Sequence, residues 1–236
     1  MHVEIWSDVV CPWCYVGKRR FESALARFEH ADEVEVRWRS FELDPAAPPR
    51  RSGSMAAHLA AKYHTTVEQA EAQLEHMNAM GRGEGLAYDL ARTQSGNTFD
   101  AHRLIHLGYS VDAATGAALK ETLLHAYFEE LRPIGDPEVL VEVAVGAGLD
   151  EAGVREMLAS DRFADAVRRD EREASELGCT GVPFFVIDRV LAVPGAQDAD
   201  TFLAVLQRAW ERSHRVPEVV VGGAVCTDEA CAVPGE

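Results

Sequence analysis

The strongest constraint on the fold is the order in which two periodicities alternate along the chain. His2 to Trp6 alternates, with Val3 and Ile5 on one side, as a strand does. Phe21, Leu25 and Phe28 then recur at helical spacing, leaving Lys18, Arg19 and Arg20 for water. Val34, Val36 and Trp38 alternate with Glu35, Arg37 and Arg39, giving a second strand. Strand, crossover helix and strand predict a βαβ unit. The Pro-rich stretch DPAAPPR, 44–50, leaves that unit, and from about Ser54 to Leu177 nearly everything reads as helix. Thr65-x-x-Glu68 reads as a capping box, GRGEG at 81–85 as a break, and a helix over 98–107 is expected to stop at Gly108. A helix carrying Leu123, Leu124, Tyr127, Phe128 and Leu131 precedes Pro133. Asp136-Pro137 opens the next one, which Gly148 ends, and Ser160 or Asp161 caps the last, which stops near Gly178. Strand character returns in FFVID, 184–188, which turns at Asp188-Arg189 into VLAV, 190–193. Phe202, Val205, Leu206 and Ala209 mark a final amphipathic helix. The order βαβ, helices, ββα predicts one α/β sheet assembled from residues 1–45 and 178–215, an all-α insertion over 46–177, and a tail over 216–236.

A chain of 236 residues, 47% apolar, can build an ordinary core without disulfides. Its formal net charge of -16 argues against nucleic acid or an anionic membrane surface as partner. No run of eighteen apolar residues is present, and the start lacks the basic and small-residue pattern of a signal peptide. A cytoplasmic protein is therefore expected. In that compartment paired cysteines are more often catalytic or metal-binding than structural.

The five cysteines are Cys11, Cys14, Cys179, Cys226 and Cys231. Cys11-Pro12-Trp13-Cys14 lies where the first strand gives way to the first helix. Unsatisfied N–H groups and the helix dipole favour a thiolate there, and Pro12 suits the first turn because its missing N–H would be unpaired anyway. The second cysteine lies one turn deeper, within disulfide reach. Cys11 is thus the expected nucleophile, with a lowered pKa, and Cys14 the resolving thiol. Two small buried residues are the bland alternative. Further on, TGVPFF, 180–185, places Pro183 just before a buried strand, as an ordinary strand-start residue or as a cis-proline in a tight turn.

Together, WSDVVCPWCYVGKRRFE, TGVPFFVIDRVLAVPGAQ and the helical insertion between them resemble the thioredoxin superfamily and, within it, the DsbA family over nearly the whole chain. The CPWC pair and the late CTDEAC look most like the FrnE-like branch of cytoplasmic dithiol–disulfide oxidoreductases. The resemblance implies a thioredoxin-like fold with a large helical insertion domain, and a cis Val182-Pro183 bond packed beside Cys11. It also implies that the backbone of Val182 pairs with an extended substrate as an added strand. Pro12 and Trp13 would border the same substrate. Cys226 and Cys231 would form a second redox pair, exchanging with the first or relaying electrons to it; a local clip on the tail or two idle thiols is the alternative. Two departures stand out: Trp13 occupies a position where DsbA has histidine, and the first strand has Ile5 where DsbA has an acid.

Other residues divide between readings. Asn97 and His102, in GNTFDAHRL, resemble a recurring stretch of the family and either line the groove facing Cys11 or serve as a helix cap and an exposed histidine. Cys179 reads as a small buried residue, Trp6 as core, and Asp8 as a neighbour able to tune the pair. The leading function is thiol–disulfide exchange on a protein or small disulfide, with no metal and no organic cofactor, glutathione being an available reductant. The main rival is a glutathione-dependent isomerase or transferase of the class kappa or 2-hydroxychromene-2-carboxylate isomerase type, although these typically carry serine in place of the first cysteine. The third reading is a non-enzymatic zinc module held by Cys11, Cys14, Cys226 and Cys231.

Overall fold

The computed structural model describes residues 1–214 and, beyond them, the backbone of two short paired strands, Val225–Cys226 and Cys231–Ala232. The first strand, β1 (His2–Ser7), leads through a turn into α1 (Pro12–Leu25), and the chain returns as β2 (Glu35–Ser40), parallel to β1. Seven helices follow: α2 (Met55–Tyr63), α3 (Val67–Gly83), α4 (Phe99–Val111), α5 (Ala113–Phe128), α6 (Pro137–Gly146), α7 (Glu151–Leu158) and α8 (Ala164–Glu176). The hairpin β3 (Phe184–Ile187) and β4 (Leu191–Pro194) and the helix α9 (Ala199–Ser213) close this part of the chain. β3 pairs antiparallel with β1, so the sheet order is β2-β1-β3-β4. This is the expected α/β class: a four-stranded mixed sheet with a block of helices between β2 and β3.

The alternation of β1 explains why the sheet is covered on both sides. Val3 and Ile5 join Phe185 and Ile187 on one face, against Phe21 of α1, Phe28 just beyond it, and Phe202 and Leu206 of α9. Trp6, Phe184 and Val186 face the other way, onto Ala174 of α8. The Trp6 indole N–H donates to the Asp170 carbonyl at 2.7 Å, so the buried ring leaves no unpaired donor. The helices between β2 and β3 have a core of their own, and it continues into Val9, Tyr15 and Val16 around the cysteine motif. The insertion therefore packs directly on the first turns of α1.

Several helix boundaries differ from those read in the sequence. The capping box belongs one residue later: Thr66 accepts from the Gln69 amide at 3.2 Å, and the Gln69 side chain accepts from the Thr66 amide at 3.3 Å. Gly81 stays inside α3, and Gly108 inside α4. A β-carbon on Gly108 would lie 2.5 Å from Leu119 Cδ1 and 3.0 Å from Gly116 Cα, so this glycine permits close approach of α4 and α5 instead of stopping a helix. The separate α7 has no counterpart in the sequence reading, and α8 starts after Phe163 in the left-handed region (φ 66°), not at a Ser160 or Asp161 cap. The Asp136-Pro137 start is as read, with the Asp136 carboxylate accepting from the Glu138 amide at 3.0 Å.

Candidate active site around Cys11 and Cys14

β1 ends at Ser7, and four residues later Cys11 is the extended N-cap residue of α1 (φ -91°, ψ 112°), with Pro12 at the first helical position. The Cys14 amide donates to the Cys11 carbonyl at 3.0 Å, closing the first turn and bringing the two side chains to one end of the helix. Both are free thiols and both are buried, but unequally: Cys11 retains 4% of its surface and Cys14 none. Pro12 is half-buried and Trp13, at 37% exposure, projects beside the pair.

The second wall comes from the segment before β3. The Val182-Pro183 peptide bond is cis, and the Cys11 thiol donates to the Val182 carbonyl at 3.6 Å. The Gly195 amide donates to the Pro183 carbonyl at 2.8 Å, tying the loop to the start of the segment after β4. A β-carbon on Gly17 would lie 3.0 Å from Pro183 Cγ, so α1 can lie against the proline only because this position is glycine. A third wall comes from the insertion: the Tyr88 hydroxyl donates to the Pro12 carbonyl at 3.0 Å.

Beneath the cysteines lies a buried polar cluster. Asp8 is 1% exposed, with its carboxylate accepting from the amides of Val9 and Leu43, each at 2.7 Å, and lying 3.3 Å from His102 Nε2. Burial opposes its charge, but His102, the Leu43 amide and Lys120 outweigh burial and hold the carboxyl below its usual value. Lys120, on α5, is 1% exposed and donates to the Ser7 carbonyl at 3.2 Å. Burial depresses it to about 8, against the opposing pull of Cys14, Asp8 and Cys11.

The two thiols titrate as a pair. Burial opposes ionisation of Cys14, yet the Cys11 thiol, the Lys120 ammonium, the Ser7 hydroxyl and the Asp8 backbone together lower its pKa. Cys11 is raised well above its usual value by the Cys14 sulfur, by burial and by Asp8. The helix N-terminus alone does not decide which sulfur is acidic. The surroundings thus favour ionisation of the deeper sulfur, Cys14, over that of Cys11, which keeps surface.

The remaining sequence candidates fall in different places. His102 is 1% exposed and lies in the cluster beneath the cysteines, not on the wall of an open groove, because it pairs with Asp8. It is thus neither the substrate contact nor the exposed histidine that the sequence offered. Asn97 lies one residue before Thr98, the N-cap of α4: its Oδ1 accepts from the Phe99 amide at 2.9 Å in a local turn, and its Nδ2 donates to the Pro45 carbonyl at 3.3 Å. Cys179 is half-buried beside Val182, its thiol donating to the Gly181 carbonyl at 3.3 Å. The side chains of Cys226 and Cys231 lie outside the described residues, although their backbones are opposite one another in a two-stranded ladder. The described residues contain no cluster of three or more histidine, cysteine or acidic side chains arranged to hold a metal ion. Among them, no helix is long and apolar enough to cross a membrane. Sequence reasoning missed Lys120 and Tyr88 altogether.

A four-stranded mixed sheet, a cysteine pair at the start of α1 and a cis-proline opposite define a DsbA-like thioredoxin-fold oxidoreductase. The model of the DsbA-like thioredoxin domain matches residues 2–207, and the chain belongs to that family. Among solved structures it is similar to a probable DsbA oxidoreductase, SCO1869 from Streptomyces coelicolor, at 48% identity with both chains covered in full and a TM-score of 0.86. It also resembles the cytosolic disulfide reductase DsbM from Pseudomonas aeruginosa, with a TM-score of 0.63 over 90% of this chain and 100% of that one; at 16% identity this likeness concerns the fold alone. The Bacillus subtilis protein YwbO is 28% identical over 204 residues, 86% of this chain and 94% of its own.

Proposed function

We propose that the protein is a cytoplasmic thiol–disulfide oxidoreductase of the FrnE-like kind, acting on protein or small disulfides through Cys11 and Cys14. The observation that carries this reading is the placement of Cys11: it is the cysteine of the pair that keeps surface, and its sulfur lies 3.6 Å from the carbonyl of Val182, next to the cis-proline. A substrate disulfide approaching there meets Cys11 first. The proton of Cys11 is handed inward to the Cys14 sulfur, and the freed Cys11 thiolate attacks one substrate sulfur. A Cys11–substrate disulfide forms as the substrate S–S bond breaks, releasing the first substrate thiolate. Cys14 then loses its proton toward the Asp8–Lys120 cluster and attacks Cys11, releasing the second substrate thiolate. The products are a Cys11–Cys14 disulfide and two substrate thiolates: two electrons have passed to the substrate, the pair's one proton is left on the Asp8–Lys120 cluster, and the substrate thiolates take their protons from water. Run backwards, the same steps oxidise a substrate. Val182 offers backbone to an extended peptide, and Trp13 and Pro12 offer apolar surface beside it. The redox couple is the cysteine pair itself, and glutathione is a fitting reductant for it.

Trapping tests the assignment of roles. Cys14→Ala lacks the resolving thiol and should accumulate a mixed disulfide through Cys11 with a peptide disulfide, seen as a mass adduct that dithiothreitol removes. Cys11→Ala should form none. An adduct mapped to Cys14 in Cys11→Ala, at a rate matching the Cys14→Ala protein, would reverse the roles.

A further inference from the structure

A second, differently built cavity of about 340 Å³ lies where the strap after β2 meets the segment before α4. Its size lies within the range of small-molecule sites, roughly 300–1,000 Å³. Arg50, Arg51 and Arg92 line it together with His58 and Gln94, and no acidic side chain does. This is unusual on a chain of net charge -16, whose overall field disfavours anions. The three guanidiniums are not spent alike. Arg51 is paired with Asp44, and Arg92 lies 3.5 Å from Asp89 while staying 73% exposed. Arg50 is exposed and makes no ion pair with any described residue. The two walls are fixed to each other, since the Arg51 amide donates to the Ser95 carbonyl at 3.0 Å.

The floor adds donors. Ser52, Gly53, Ser54 and Met55 border the cavity where α2 begins, and the Ser54 hydroxyl accepts from the Ala57 amide at 3.2 Å. That cap satisfies one of the first-turn amides, and those of Met55 and Ala56 have no partner within the helix. Gln94, partly buried, completes the lining; its side-chain oxygen has no accessible surface and no hydrogen-bond partner among the described residues. Burial is the largest cause lowering the His58 pKa; Arg51 and Lys62 add to it, and Asp44 opposes it.

We infer that this cavity is a binding site for a small molecule bearing an oxyanion, a phosphate ester or a carboxylate. The oxyanion is held by Arg50, Arg92 and the first amides of α2, as charge-assisted hydrogen bonds and a helix N-terminus favour. The site is independent of the cysteines, so its failure leaves the redox reading untouched, and the reverse holds as well.

The test is a titration of the full ¹⁵N-labelled chain with inorganic phosphate and, separately, with citrate, at constant ionic strength set by chloride. The inference expects saturable shifts of the Met55 and Ala56 amides that fit one affinity, weakened at least tenfold in Arg50→Gln/Arg92→Gln. Tighter phosphate binding would identify a phosphate ester as the ligand class, and tighter citrate binding a carboxylate. Both substituted side chains are solvent-exposed, and the amide spectrum away from the strap checks that the double variant is folded. Shifts that rise linearly with either anion, or an affinity unchanged in the double variant, would overturn the inference.

Discussion

Lys120 illustrates how a single buried residue ties function to a cost in stability. Its folded pKa, about 8, lies below the ordinary lysine value of 10.5, so the unfolded chain binds the proton more tightly than the folded one. The cost of burying that charge is fully present below pH 8 and is released as pH rises from about 8 towards 10.5. Lys120→Met should therefore be more stable than the wild type at pH 7, by up to about 3 kcal/mol, with the advantage vanishing by about pH 10.5. Urea unfolding at the two pH values measures this directly. The same variant loses the ammonium that favours the Cys14 thiolate. Its first thiol ionisation, followed by thiolate absorbance at 240 nm, should move up by about one pH unit or more. An unchanged thiol titration would remove Lys120 from the redox machinery and leave it a purely structural lysine. A stabilising change that weakens the chemistry is the trade expected where a site holds a costly group for its function.

The crossing of α4 and α5 shows, at the scale of elements, why glycine was misread in the sequence. A β-carbon on Gly116 would lie 2.4 Å from the Tyr109 ring, whose hydroxyl accepts from the Trp38 amide at 2.9 Å on the edge strand β2. An ordinary mid-helix Gly→Ala change stabilises by roughly 1 kcal/mol. Gly116→Ala should instead destabilise by about 1–3 kcal/mol, because Tyr109 must move and loosen its hold on β2. Chemical denaturation reads the sign, and a stabilised variant would contradict the close crossing. Legibility in the sequence follows from the range of the forces involved. β1, the hairpin turn at Asp188-Arg189 and the Asp136-Pro137 start are local patterns, and they were read correctly. Gly108 reads as a stop in the sequence because a glycine that spaces two helices and one that ends a helix look alike without the partner helix. The cysteine motif announced itself by spacing and by its strand-to-helix position. Lys120 did not, since it lies 113 residues from the Ser7 carbonyl it meets, and a lysine on a helix ordinarily faces water. His102 was visible as a candidate, but its burial against Asp8 depends on a contact across 94 residues.

Across the whole molecule, the insertion is part of the site and not an appendage to it. It supplies Tyr88 against Pro12, Lys120 beneath the thiols and His102 against Asp8, while the sheet supplies Pro183 and Val182. A thioredoxin-like sheet can place the two cysteines and the cis-proline, but in this chain Lys120 of α5 acts on their protons together with Ser7 and Asp8, and His102 of α4 pairs with that Asp8. The central claim is that Cys11 and Cys14 work as one two-electron couple whose charge is shared. Its most direct test is equilibration of the full chain in glutathione buffers of set potential, followed by alkylation with a mass tag and mapping of each cysteine by peptide mass spectrometry. The account predicts that Cys11 and Cys14 lose their tags together, along a single two-electron curve of about 30 mV per tenfold change in the oxidised-to-reduced ratio. Cys11 and Cys14 changing at separate potentials, or each carrying its own glutathione with no shared disulfide, would contradict it.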